Sequence, residues 1–285
     1  MGTSWSARLV GGDAAAARAI VQPVLDRIVR EMSQWEPVSS LSRFNHAPAG
    51  HAQPLEPDFA TVIAAALAVA DASGGAFDPA MGTLSDAWGF GATGPRAAPP
   101  TDDAIAAAAW GHDALRWEPG ARRLTKTRAV ALDLAGIAKG HAVDAVADVL
   151  AAAGWRALLV EIGGEFAGRG LKPDGQPWWV DAEPAPGTVA MPLRLAASGV
   201  AVATSGDYRR GGHTLDPRTG RPIAHGTRAV TVVASRCVMA DAWATALTVL
   251  PPDEAMAMAD AQGLAARVVT DDGERLSSAL EGMLT

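Results

Sequence analysis

The chain has 285 residues, enough for one large domain or two smaller ones around a sizeable core. Its net charge is −7 with no basic run, which argues against nucleic acid as a partner. Cys237 is the single cysteine, so an intrachain disulfide and a cysteine-built zinc site are both excluded.

Thr3 to Leu9 reads as a first strand. Ile20, Val24, Leu25, Ile28, Val29 and Met32 recur at helical spacing and predict an amphipathic helix that Pro37 ends. A second helix starts near Pro57-Asp58 and closes at Gly74-Gly75. Residues 91–103, rich in Gly and Pro, form a loop, and a short helix follows around Asp103 to Ala109. "ALRW" and "RRLTKTRAVALDL" predict a hairpin turning through "EPGA". Its apolar end gives way near Gly136 to a helix with Val143, Val146, Ala147 and Leu150 on one face. From residue 156 strands dominate: "RALLVEIGG", "PWWVDAE", "VAMPLRLA", "VAVATS" and "TRAVTVVAS". The helices "CVMADAWATALTVL" and "DEAMAMADAQG" and a last strand "ARVVTD" complete a mixed α+β chain. No apolar stretch of about 18 residues could span a bilayer.

Three groups of residues carry chemistry. In "LDLAGIAKGHAVD" Lys139, one of only three lysines, lies between Gly136 and Gly140 where a helix begins. Backbone N–H groups at such a turn suit an anion. The order Gly-Ile-Ala-Lys-Gly-His fits neither a P-loop nor a dinucleotide fingerprint, and "GGEFAGRG" misses the latter too. The plain alternative is a Gly140 that caps or relaxes the backbone beside a solvated Lys139.

In "MADAWATAL" Asp241 and Thr245 share one face of an apolar helix. A buried carboxylate is costly unless paired or bound to a cation, and carboxylate plus hydroxyl suits Mg²⁺ better than zinc. The alternative is a helix-capping Asp241 with Thr245 bonded back to a carbonyl. In "ATSGDYRRGGHTLDPRTGRP" His213 lies among turn residues near Asp207 and Asp216, a candidate acid/base. His46, His51, His112 and His225 read as solvated, and His141 stays open. Trp88, Phe90, Trp178 and Trp179 could stack on a planar ligand, but core packing is the commoner use of such residues.

These blocks, with "SSLSRFN" and "GGAFDPAMGTLSDAWGFG", resemble in order those of the ApbE family, the FAD:protein FMN transferases. The resemblance implies a bilobed α+β fold over residues 1–285, a single catalytic domain of two intertwined lobes with FAD held between them. It implies that Lys139 and Asp133 contact FAD, and that Met1, Ala76, Phe77, Asp78 and Leu215 line its site. It also implies that Asp241, Thr245 and the Gly136 carbonyl hold Mg²⁺, and that His213 is the acid/base with Lys139 serving the diphosphate.

The implied reaction moves FMN from FAD onto a Thr or Ser hydroxyl of an acceptor protein and releases AMP. The acceptor would carry a Ser/Thr-Gly-Ala-Ser/Thr-x-Thr segment, which this chain lacks. An FAD pyrophosphatase and a non-catalytic FAD-binding protein are the rival readings. Two departures stand out: Glu165 follows Gly163-Gly164 where the family usually has Asp, and Thr214 replaces the more usual Ile or Val. Many members carry a secretory lipoprotein signal; the first residues here lack its charged and apolar regions, so a cytoplasmic enzyme is expected, or a periplasmic one only if a signal segment has been removed.

Overall fold

The computed structural model describes residues 3–182, 185–206 and 212–284. Strand β1 (Trp5–Leu9) leads to helix α1 (Ala14–Met32), which buries Val21, Val24, Leu25, Ile28 and Met32. The helix stops before Pro37 is reached, because hydroxyls organise the next turn. Ser39 donates to the Ser33 carbonyl at 2.7 Å and accepts the Ser42 N–H at 2.9 Å, capping α2 (Ser40–His46). After β2 (Ala52–Pro54), α3 (Pro57–Ala72) begins with proline in its first turn, and the Glu31 carboxylate accepts its Phe59 N–H at 3.0 Å. Then come α4 (Gly82–Trp88), which the sequence pattern does not announce, α5 (Asp102–Ala107), β3 (Leu115–Glu118) and β4 (Arg123–Lys126).

The strand expected to run on to Leu134 ends at Lys126. Leu132 has a side chain as its partner instead of a strand: Asn45 Oδ1 accepts its N–H at 2.7 Å and Asn45 Nδ2 donates to its carbonyl at 2.9 Å. Beyond it, α6 (Ala138–Ala152) buries the expected Val143, Val146, Ala147 and Leu150. Strands β5 (Leu158–Ile162), β6 (Glu165–Arg169), β7 (Trp179–Ala182), β8 (Leu193–Ala196) and β9 (Ala201–Gly206) follow. The short β10 (Leu215–Asp216) and β11 (Arg221–Pro222) pair with each other before β12 (Thr227–Ala234). The chain continues through α7 (Cys237–Val249), α8 (Pro252–Ala261) and β13 (Ala265–Thr270), then adds β14 (Gly273–Leu276) and α9 (Ser278–Leu284).

The chain divides into two compact units: Met1–Leu25, Gly136–Thr214 and Ile223–Thr285 in one, Asp26–Ala135 and Leu215–Pro222 in the other. The first holds an antiparallel sheet in the order β1-β5-β6-β9-β12-β13-β14, with α6 against β5 and β6 and α7 against β9 and β12. Leu159, Trp178, Val180, Leu195, Val202, Val233 and Leu280 form a separate core cluster in this unit. Apolar side chains are thus used on both sides of β5 and β9, which explains the unbroken runs "LLV" and "AVA".

The second unit contains the sheet β2-β4-β3 and a cluster of Met81, Leu84, Ile105 and Leu215 with Trp88, Phe90 and Trp110 packed against it. Core packing therefore accounts for Trp88, Phe90 and Trp178, whereas Trp179 is 43% exposed. Among the described residues no helix is long and apolar enough to cross a membrane.

Asn45 carries the consequence that tests this account. Asn45→Ala leaves both buried backbone groups of Leu132 without a partner and should cost about 2–4 kcal/mol of unfolding free energy. A urea titration checks it; a loss near zero would mean that Leu132 does not depend on this side chain.

Candidate active site

Helices α6 and α7 meet along a stripe with a step of four residues on each side. Cys237, Asp241 and Thr245 on α7 face Asp144, Gly140 and Gly136, so the two stretches run antiparallel. At one end the Asp144 carboxylate accepts the N–H groups of Cys237 and Val238, each at 2.9 Å, capping α7 from α6. In the middle Asp241 Oδ2 accepts the Gly140 N–H at 2.9 Å, capping α6 from α7. At the other end Thr245 Oγ1 donates to the Gly136 carbonyl at 3.4 Å.

The glycines permit this approach. A Cβ at position 140 would lie 2.8 Å from the Asp241 Cβ and closer still to the Cys237 carbonyl. One at position 136 would lie 2.7 Å from Thr245 Oγ1. Gly140 is therefore neither a cap nor a relaxed turn; it is helical and makes room. Thr245 does not bond back within its own helix, as Thr248 does to Ala244 at 2.7 Å.

Lys139 is not solvated. Its Nζ lies 2.5 Å from Glu165 Oε1 and 3.5 Å from Asp241 Oδ1, and its side chain keeps 30% exposure. Burial alone would push the ammonium down, but the Asp241 and Glu165 carboxylates outweigh it and hold Lys139 above its ordinary value. Burial and then the Asp241 charge push Glu165 up, against the pull of Lys139. Two buried carboxylates thus share one ammonium, and the cluster is short of positive charge. Burial also raises the Cys237 thiol far up, so it is neutral and no nucleophile.

These oxygens fit a hard divalent cation. Asp241 Oδ1, Thr245 Oγ1 and the Gly136 carbonyl come from one stripe, and Glu165 Oε2 is buried without a hydrogen-bond partner. Among the described residues no three His, Cys, Asp or Glu side chains group to hold a metal by themselves. A set using one carboxylate with hydroxyl and carbonyl oxygens leaves positions for water and phosphate, as Mg²⁺ requires.

Ala76, Phe77, Asp78, Asp133 and Leu215 belong to the second unit. Ala76, Phe77 and Leu215 are buried. Asp133 Oδ1 accepts the Ala135 N–H at 2.9 Å, shaping the turn before α6. Asp78 Oδ1 accepts the Ala80 N–H at 2.7 Å, and its Oδ2 meets both the His112 N–H and the His112 ring. His213 is half-buried and follows residues 207–211; Met1, like them, lies outside the described residues. Asp216 engages the Arg218 guanidinium through both carboxylate oxygens at 2.9 Å.

His112 is not a solvated histidine. It bridges Asp78 at 3.0 Å and Asp71 at 3.3 Å, and the Asp78 bond first of all raises it, against the opposing effect of burial. His225 likewise bridges the Val249 carbonyl and the Thr227 hydroxyl. Asp144 and Glu165 are the functional neighbours that sequence reasoning missed as partners. An Asp four residues after Gly140 on the same helix stripe was the available sign for Asp144; for Glu165 there was only its place after two glycines.

A model of the ApbE family matches residues 1–268. The FAD:protein FMN transferase of Klebsiella pneumoniae (strain 342) is 33% identical, over 96% of this chain and 83% of that protein. The protein of the same name from Vibrio cholerae serotype O1 is 34% identical, over 100% of this chain and 91% of its own. Among solved structures, the apo flavinyl transferase ApbE of Pseudomonas stutzeri superposes with a TM-score of 0.93 at 34% identity, covering 99% of this chain and 94% of that one. The flavin transferase ApbE from Vibrio cholerae gives 0.91 at 32% identity, with 99% and 96% covered. The chain belongs to the ApbE family.

Two outcomes check the geometry. Alanine is the better helix former by about 1 kcal/mol, yet Gly140→Ala should lower the melting temperature, because overpacking costs about 1–3 kcal/mol. A raised melting temperature would refute the close approach. The second is pH dependence. Burial and the Asp241 charge raise Glu165 above its ordinary 4.5, so between the ordinary and the raised value the folded state binds more protons than the unfolded one. Its contribution to stability is therefore full below 4.5 and lost as pH rises through the raised value. Urea unfolding of metal-free protein from pH 5 to pH 9 should show that decline, and Glu165→Gln should flatten it.

Proposed function

We propose that this chain transfers FMN from FAD to the hydroxyl of a threonine or serine in an acceptor protein, releasing AMP. One observation carries the reading: a single cluster sets an ammonium, a carboxylate, a hydroxyl and a backbone carbonyl within reach of one another. A diphosphate ester and its divalent cation need that combination of charges. The names of the relatives, FAD:protein FMN transferase, support the same direction.

In the proposed step the acceptor oxygen attacks the FMN-side phosphorus and the bond from that phosphorus to the bridging oxygen breaks. The electron pair leaves with AMP, and the hydroxyl proton passes to His213. Such a transition state needs positioning and charge neutralisation more than covalent help. Mg²⁺, held by Asp241, Thr245 and the Gly136 carbonyl, would supply charge neutralisation on the diphosphate oxygens. Lys139 adds a second positive charge on a stem anchored at the start of α6. Asp241 presents Oδ1 because its Oδ2 is engaged by the Gly140 N–H.

The test is AMP release from FAD with Mg²⁺, with and without an acceptor bearing the threonine segment, followed by the mass of the acceptor. An acceptor heavier by one FMN, in step with AMP, is the expected result. Free FMN with an unmodified acceptor would make the chain an FAD pyrophosphatase. His213→Ala should slow the transfer about 10²- to 10⁴-fold. Asp241→Asn, which retains an oxygen for the Gly140 N–H, should abolish metal-dependent turnover.

A further inference from the structure

The cation reading leaves a conflict inside the cluster. Asp241 Oδ2 is taken by the Gly140 N–H, which leaves Oδ1 for a cation. Oδ1 is also the oxygen that Lys139 Nζ approaches, at 3.5 Å. An ammonium settled on Oδ1 would repel a divalent ion and occupy its ligand. We propose that Glu165 is a positioning residue that draws the Lys139 ammonium off Asp241 and so keeps Oδ1 open to a divalent cation. This rests on the cation site of the preceding section.

The geometry around Glu165 suits that task. It opens β6 directly after Gly163 and Gly164, which turn at φ +64° and +100° and set the β5–β6 hairpin register of Ile162 against Glu165. Its carboxylate is 3% exposed and already the nearer partner of Lys139, at 2.5 Å against 3.5 Å. Its second oxygen, Oε2, is buried with no hydrogen-bond partner and offers the ammonium another acceptor. Gly163 also spares the path of the lysine stem, since a Cβ there would come 3.4 Å from Lys139 Cδ and 2.9 Å from Thr3 Oγ1. Lys139 and the cation can then share one pocket, with Glu165 neutralising the first and Asp241 the second.

The test is the uptake of Mn²⁺ alone by the full chain, read from the loss of the free-ion electron paramagnetic resonance signal. Glu165→Gln keeps the shape and removes the charge. It should weaken Mn²⁺ binding by about 10- to 100-fold, the range seen when residues that support metal ligands are changed. Adding Lys139→Met to that variant should restore most of the lost affinity, because the competing ammonium is gone. A merely structural role for Glu165 gives no such recovery. Wild-type affinity in Glu165→Gln, or a double variant no better than the single one with native circular dichroism, overturns the proposal while leaving the cation site standing. A wild-type chain that takes up no Mn²⁺ overturns both.

Discussion

Two helices that each cap the other set the terms for the rest of this chain. A helix N-terminus buried without partners for its N–H groups is unstable, and here each of α6 and α7 depends on a carboxylate of its neighbour. The arrangement demands a backbone approach that side chains at 136 and 140 would block. It also brings the Gly136 carbonyl beside Thr245, so the requirement for capping and the collection of hard oxygens are met by one stripe. The glycines that look in sequence like a phosphate loop serve helix packing, and the lysine between them owes its position to that packing.

Burial of charge is handled differently elsewhere in the molecule. Arg267, almost wholly buried, is surrounded by the Glu274 carboxylate and the carbonyls of Ala182 and Met191. Lys126 rests on the carbonyls of Asn45 and Val130 with the Phe44 ring 5.2 Å away. Both cations are matched by acceptors and suit a structural role. The Lys139 cluster is not matched: it carries one carboxylate more than its ammonium can balance, and one buried carboxylate oxygen has no donor. An imbalance of that kind is costly in a region that only holds the fold together, and useful where a cation is to bind.

Much of this was legible in the residues and some could not be. The helical faces of α1 and α6 followed from periodicity, α3 from its Pro57-Asp58 start and Gly74-Gly75 end, and the spacing of Asp241 and Thr245 put both on one side of α7. The order of motifs carried the family. What periodicity cannot give is the partner across space. Leu132 sits in an apolar run that reads as a strand, and only the fold reveals that the Asn45 amide takes the place of the neighbouring chain. His112 looks like a loop histidine until Asp71 and Asp78 are brought to either side of it. Glu165 differs by one methylene from the residue more usual at its place, and the sequence holds no hint that Lys139 will be its partner.

The division of the chain has a bearing on how the molecule comes into being. The second unit is nearly continuous, needing residues 26–135 and only a short later return. The first is assembled from three stretches, and β1 must wait for β5, residues 5–9 against 158–162, before its edge is satisfied. Closing so long a loop is slow and entropically unfavourable. During synthesis the early unit can therefore gather while its neighbour is still open chain. The charged pocket needs residues 136–140, 165 and 241–245 together, so it cannot be complete before residue 245 has been made. A nascent chain that stops short of α7 lacks Asp241 and Thr245, and with them the oxygens that face Gly140 and Gly136.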